Sequence, residues 1–307
     1  MASEEKFTLS IGNNITGSPL SILGYRLSQG NGASLYIQGG THGGEVTFLV
    51  FKMLYNFLKT NTNWAGMITL IPLAHPVSWN QRSYFYTSGK FNNYDGKDWN
   101  RSFPGNEEGS TSARISHILF SEAIKHDLAI DLHTTRTSKP FVIVGREDLV
   151  SYGTSSGILP TYLAPKASFN YPFTDAIDNS GKKGITLECG SHDSMDIEDI
   201  KLCFEAVLNM MRKEGLLKDK DINTKANSFV YTEYDTYFSP VSGFLEYINP
   251  LEKMVNKGDV LYKIHPSDSL DKIIDILARE DCIIMKYQRT HIATVGDEVV
   301  TTVVVKK

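Results

Sequence analysis

Residues 33–50 read ASLYIQGGTHGGEVTFLV, and three kinds of backbone follow one another in that stretch. Ala33 to Gln38 has the apolar, aromatic bias of a buried strand. Gly39, Gly40, Gly43 and Gly44 bring a turn where the chain bends sharply or lies close to something. From Val46 to Leu58 the apolar residues have the length and spacing of a packed helix. His42 and Glu45 sit inside the turn. Three apart at the mouth of a helix, an imidazole and a carboxylate can aim at one point. One more His would complete the His2Glu set of a catalytic zinc, with a fourth position for water. H-x-x-E alone arises often by chance. A glycine-framed turn at the carboxyl end of a strand strengthens it, because open α/β sheets bind ligands there.

Outward from this stretch, residues 6–28 alternate apolar and polar positions and read as two strands or a hairpin. Gly66 to Leu73 is a buried strand, after which Pro72 and Pro76 are expected to stop regular structure. Residues 75–110 form a long polar, aromatic segment, and a loop of that length in a compact domain is usually functional. Ser110 to Lys125 reads as a helix with a capping start. Asp127 to Leu132 is a buried strand ending in His133, Phe141 to Val144 a short strand, and Gly184 to Leu187 a strand ending in Glu188. Residues 150–182 are mixed, and Ile197 to Arg212 is a helix. Alternating strands and helices imply an α/β fold with a mixed, mostly parallel sheet flanked by helices. The polar segment KDKDINTKANS (218–228) reads as a linker, and short strands from Phe229 on read as a small all-β module. The expected division is a catalytic domain over 1–222 and a β domain over 223–307.

Composition narrows the function. The chain has 307 residues, 41% apolar and 21% charged, as a soluble protein with a sizeable core has. A net charge of −4 and the lack of a basic run argue against a nucleic-acid binder. No apolar stretch is long enough to span a bilayer. The acidic start MASEEKFTLS lacks the apolar core of a signal peptide, and three widely spaced cysteines suit reduced thiols, so a cytoplasmic location is expected.

Four stretches occur in order: GGTHGGE (39–45), DWNRSFPG (98–105), DLHTT (131–135) and ITLECG (185–190). Together they resemble the succinylglutamate desuccinylase/aspartoacylase family, which has the zinc carboxypeptidase fold and, in many members, a β-rich C-terminal part. Three positions depart from the usual forms: Gly44 stands where Asn is common, Trp99 replaces Leu before Asn-Arg, and His75-Pro76 stands for Asn-Pro. None removes a metal ligand; each reshapes the pocket.

The resemblance implies one Zn2+ per chain on His42, Glu45 and His133. Zinc lowers the pKa of a bound water toward ~7. Asp131, two before His133 on a strand, is read either as a partner orienting that ligand or as a structural ion pair. Glu188 matches the family's proton-transferring Glu. Asn100 and Arg101 match the pair that holds a substrate carboxylate, and Arg82 matches an upstream Arg that polarises the scissile carbonyl. Arg136 and Arg146 carry no motif. His117 and His126 read as packing or surface, His192 as a loop residue, and His265 and His291 as parts of the β module. Cys189 reads as a small buried residue.

In the C-terminal module, MVNKGDVLYKI (254–264) and IATVGDEVVTTV (292–303) are similar phrases that resemble a lipoyl/biotinyl-like sandwich. Lys272 and Lys286 lack the flanks of a modified carrier lysine, so a structural role, shaping the cleft or forming a homo-oligomer contact, is expected. The implied activity is zinc-dependent deacylation of an N-acyl amino acid or similar small amide, with a substrate that bears a carboxylate. The alternatives are a carboxypeptidase for short peptides and, in a different class, a non-catalytic metal-binding or carrier protein.

Overall fold

The computed structural model describes residues 2–84, 87–157, 160–165, 171–219 and 229–305. From residue 220 on, the segment read as a linker lies outside them, as do 158–159 and 166–170 of the mixed stretch. The chain divides into two compact units. Unit 1 is Met1–Thr134, Pro140–Cys189 and Asp193–Val230; unit 2 is Tyr231–Lys307 together with two short pieces, Thr135–Lys139 and Gly190–His192.

In chain order the first part holds β1 (Ser3–Asn13), β2 (Pro19–Gln29), β3 (Ser34–Gly39), α1 (Phe48–Thr60), β4 (Gly66–Ile71), α2 (Pro76–Asn80), α3 (Thr111–Ala123) and β5 (Leu128–Thr135). There follow β6 (Thr137–Ser138), β7 (Phe141–Val144), α4 (Val150–Ser155), β8 (Thr161–Leu163), α5 (Phe173–Asn179), β9 (Lys183–Ser191), α6 (Ile197–Lys213) and β10 (Val230–Tyr231). Nine strands make one sheet in the order β1-β2-β4-β3-β5-β9-β7-β8-β10. β1 and β2 are the expected hairpin, while β3 runs parallel to both β4 and β5. The fold is thus the mixed α/β class that the strand–helix alternation implies.

β3 shows why both faces of the sheet are covered. Side chains alternate along a strand, and every residue from Leu35 to Gly39 is buried. Leu35 and Ile37 join Leu128, Ile130 and Leu132 of β5 in a core closed by α1 and α6. Tyr36 and Ala129 point the other way, into a core with Ile115 and Leu119 of α3 and Ile177 of α5. α1 contributes Val50, Phe51, Leu54 and Leu58, the one-face spacing of an amphipathic helix. α3 starts where a Ser cap predicts, with Ser110 Oγ accepting from Ala113 N–H at 3.4 Å.

Pro76 corrects the sequence reading. It opens α2 instead of ending regular structure. The first helical position has no intrahelical partner for its N–H, so proline loses nothing there.

Unit 2 is all β, as expected for this part of the chain. Its strands are β11 (Asp235–Phe238), β12 (Gly243–Glu246), β13 (Met254–Val255), β14 (Val260–Pro266), β15 (Ile274–Leu277), β16 (Cys282–Tyr287), β17 (Ile292–Ala293) and β18 (Glu298–Val304). They form two sheets, β11-β18-β16-β13 with β6 paired to β16, and β15-β14-β12-β17. The two similar phrases fold alike. Gly258 and Gly296 both have φ +88°. Asp259 accepts from Asn256 N–H at 3.3 Å and Asp297 from Thr294 N–H at 2.8 Å, closing equivalent turns. Lys286 lies inside β16, paired with Ser138, and is not at a hairpin tip.

Candidate metal centre

The site forms where β3 ends beside β5, with Gly39 next to Leu132 and β5 running on to Thr135. His133 is the next residue of β5, and the glycine turn carries the chain from β3 to His42 and Glu45. The turn is held by its neighbours. Ala74 N–H donates to Gly39 O at 2.8 Å and Trp79 Nε1–H to Gly40 O at 2.9 Å. A Cβ on Gly43 would lie 2.3 Å from Ser78 O, so only glycine fits. Gly44 has φ +92°, the left-handed region that glycine enters freely and Asn tolerates, which accounts for Gly where Asn is common.

His42, Glu45 and His133 are all buried, and one ligand atom from each lies within 4.8 Å of the others. Glu45 Oε1 is 2.8 Å from His42 Nδ1 and 2.7 Å from His133 Nδ1. Each imidazole turns its other nitrogen to a carboxylate: His42 Nε2 to Asp98 Oδ1 at 2.9 Å, His133 Nε2 to Asp131 Oδ2 at 2.7 Å. Carboxylates accept, so both Nε2 atoms carry protons and both Nδ1 atoms face Glu45. Asn100 Nδ2 also lies 3.0 Å from His133 Nε2, but two donors cannot share one bond, so Asp131 sets the tautomer.

This donor set fits a metal ion. Two imidazoles crowded against an anionic oxygen through Nδ1 need positive charge there. Protons can supply it in part: burial works against charging His42, but Glu45 and Asp98 outweigh it and raise its pKa. Burial opposes His133 too, and Asp131 and Glu45 raise it well above the usual value. Burial alone would raise the Glu45 carboxyl, yet His133 and His42 hold it far below the carboxylate range. Two neutral imidazoles and a carboxylate with an open fourth side are the ligands of a catalytic zinc.

The other expected residues separate. Asp131 pairs with His133, a contact that fits either of its two sequence readings. Glu188 lies in β9, opposite Phe141 of β7, with its Oε2 shut away from solvent. Burial, the Cys203 thiol and the charges of Glu188 and Glu45 push the Cys189 thiol well up, so both carboxylates act on one buried neighbour. Asn100 is buried, and its Oδ1 accepts from Phe173 N–H at 2.8 Å. Arg101 is exposed, with Nη1 donating to Asn100 O at 2.6 Å. Arg82 is exposed in the loop, bridged through its backbone to Thr87. Arg146 is occupied by Asp148 at 2.5 Å, and Arg136 pairs with Glu298 in unit 2.

Two residues of the site were missed in the sequence. Asp98 holds His42 and also caps a short 3-10 turn, Trp99–Arg101, by accepting from Asn100 N–H at 2.9 Å. Its signal was available, since it opens the DWNR phrase. Lys90 Nζ sits 3.0 Å from Asp98 Oδ2, and a lone loop lysine gives no signal at all.

Comparison with known proteins follows this geometry. No curated protein matches the chain in sequence. Among solved structures, a succinylglutamate desuccinylase/aspartoacylase family protein from Shewanella amazonensis SB2B is similar, at 23% identity and TM-score 0.86, over 97% of this chain and 98% of that one. One from Rhodobacter sphaeroides is 18% identical with TM-score 0.82, over 99% and 96%. The product-bound ectoine utilization protein EutE (DoeB) from Ruegeria pomeroyi is 19% identical with TM-score 0.82, over 99% and 95%. At these identities the likeness is one of fold. Among the described residues, no helix is long and apolar enough to cross a membrane. The model of the succinylglutamate desuccinylase/aspartoacylase catalytic domain matches residues 31–213, 183 of 307, which takes in the turn, the DWNR phrase, β5 and β9. The chain therefore belongs to the succinylglutamate desuccinylase/aspartoacylase family, whose members are deacylases of small carboxylate-containing substrates.

Proposed function

We propose that the protein is a zinc-dependent deacylase that hydrolyses an N-acyl amino acid or a similar small amide. The observation that carries this reading is the convergence of His42, Glu45 and His133 beyond the carboxyl end of β3 and beside the last step of its pairing with β5. These three residues would hold Zn2+, which supplies a Lewis acid and a water acidified toward ~7. Glu188 takes a proton from the attacking water and returns it to the leaving nitrogen. Arg82 turns its guanidinium to the scissile carbonyl oxygen as substrate fills the loop, favouring the charge that develops there. Arg101, assisted by Asn100, holds the substrate carboxylate. Lys90 and Asp98 keep His42 in its tautomer. Residues 1–222 carry the chemistry and the C-terminal β part serves structure. The cysteines Cys189, Cys203 and Cys282 are all free thiols, which suits a reducing cytoplasm.

The test combines metal analysis with an amine-release assay on zinc-loaded protein, using N-acyl amino acids and dipeptides. The expected result is about one zinc per chain and turnover of an N-acyl amino acid, with both lost in His133→Ala. Cleavage of dipeptides alone would make the protein a peptidase. Full zinc in His133→Ala would undo the ligand set.

A further inference from the structure

Among the described residues other than glycine, Asp193 and Glu252 have a positive φ, and that of Asp193 is +54°. Side chains seldom adopt this left-handed backbone, which Asp and Asn tolerate best. Asp193 follows Glu188 where the chain leaves β9. Its backbone and its side chain each hold a different part of the site. Asp193 N–H donates to Gly44 O at 3.1 Å, one residue before Glu45 in the glycine turn. Asp193 Oδ1 accepts from the Thr87 hydroxyl at 3.0 Å, in the loop that carries Arg82.

That loop folds back on itself. Ser88 N–H donates to Gln81 O at 2.8 Å, and Arg82 and Thr87 face each other in an antiparallel bridge. Residues directly opposite in such a pair send their side chains to the same side. Arg82 therefore leaves the loop on the side where Thr87 meets Asp193. Just past Thr87, Gly89 O accepts from Gly43 N–H at 3.1 Å, a second tie to the glycine turn. The returning leg of the loop is thus fixed at both Thr87 and Gly89, and the leg bearing Arg82 is fixed through it.

We propose that Asp193 is the positioning residue for Arg82. Its carboxylate, through Thr87, fixes the loop from which the guanidinium reaches the substrate carbonyl, while its N–H braces the turn that carries His42 and Glu45. The proposal rests on the deacylase reading and on the role given there to Arg82. An exposed arginine in an untied loop samples many positions, and it stabilises a developing charge only while it is aimed. Tying its loop to the residue that also braces the glycine turn sets Arg82 in register with the metal-binding cluster. Asp193 touches no substrate in this scheme, and its carboxylate acts on turnover through Arg82.

Variants of the full-length protein test it. Asp193→Gly adopts a positive φ freely and keeps the N–H bond to Gly44 O, so it removes the carboxylate alone. Thr87→Val removes the hydroxyl at constant shape. Asp193→Asn keeps an acceptor and tolerates the left-handed backbone, and is the rescue. Hydrogen exchange read by mass spectrometry over residues 81–89 needs no substrate. The Ser88 amide should exchange about tenfold faster in Asp193→Gly and in Thr87→Val, and at the wild-type rate in Asp193→Asn. On the best N-acyl amino acid, Asp193→Gly should lose about tenfold in kcat with KM and zinc content kept, and Asp193→Asn should restore it. Adding Asp193→Gly to Arg82→Ala should cost nothing further. A general loosening of the site would instead lower zinc content and raise KM. Unchanged exchange in either Asp193→Gly or Thr87→Val would overturn the tie, and additive losses in kcat would overturn its link to Arg82. Both of those outcomes leave an active enzyme and the deacylase reading intact. A zinc-loaded wild type that turns over no amide would overturn that reading, and the role of Asp193 with it.

Discussion

In the proposed mechanism Glu188 and Asp98 act at different removes, and single substitutions separate them. Glu188→Gln keeps size and hydrogen bonding but cannot accept a proton. It should retain about one zinc and lose at least ~100-fold in kcat, with little change in KM. Steady-state kinetics beside metal analysis checks this; unchanged kcat would remove Glu188 as the base. Asp98→Ala leaves the three ligand residues in place but frees the Nε2 of His42. Zinc affinity should fall about 10- to 100-fold, measured by chelator competition, whereas Arg82→Ala should lower kcat and keep the metal. The residues proposed as ligands were legible as positions because each stands in a short phrase in or just after a strand. Asn100 was legible as a position and less so as a role: its amide is spent on Phe173 N–H and on the side of His133. Lys90 was not legible, because only folding brings a loop lysine to Asp98.

The glycine turn is an element whose shape is fixed by close packing. Gly43 lies against Ser78 O and the Cα of Gly89, so the β3–α1 turn, the end of α2 and the loop at residue 89 touch through bare backbone. In Gly43→Ala the new Cβ would meet Ser78 O at 2.3 Å, and backbone cannot move aside as a side chain does. The substitution should keep the circular dichroism of the fold, lower Tm, and cut zinc content and activity together, since His42 is the adjacent residue. Normal zinc and activity would show that the turn yields. The helices and strands of this region could be read from periodicity, as α1 and β3 show. The interior of 75–110 could not, because a five-residue helix and a 3-10 turn are held by His75, Ser78 and Asp98 rather than by an apolar stripe.

Across the whole molecule, pH should act on stability through Asp178 at the end of α5. Burial pushes its carboxyl up to about 6, against the pull of Gly184 N–H and Arg146. A carboxyl raised on folding binds its proton more tightly in the native state. Its contribution is full below the ordinary aspartate range and is lost as pH rises through about 6. Between pH 4 and 7 the wild type should lose of order 2 kcal/mol relative to Asp178→Asn, seen in urea unfolding midpoints; parallel pH curves would refute it. A second expectation concerns unit 2. His265→Ala and His291→Ala should leave zinc content unchanged, because His265 pairs with Glu246 and His291 with Leu245 O inside that unit. The interleaving of the units bears on how the chain can be shortened. Two short pieces, Thr135–Lys139 and Gly190–His192, follow His133 and Glu188 by two residues and belong to unit 2, where β6 pairs with β16. A chain stopped at residue 222 would shed that neighbour and leave Thr137 and Ser138 without their pairing, shortly after His133. Such a fragment should precipitate or bind zinc weakly, and adding back 223–307 as a separate piece should recover solubility and metal together.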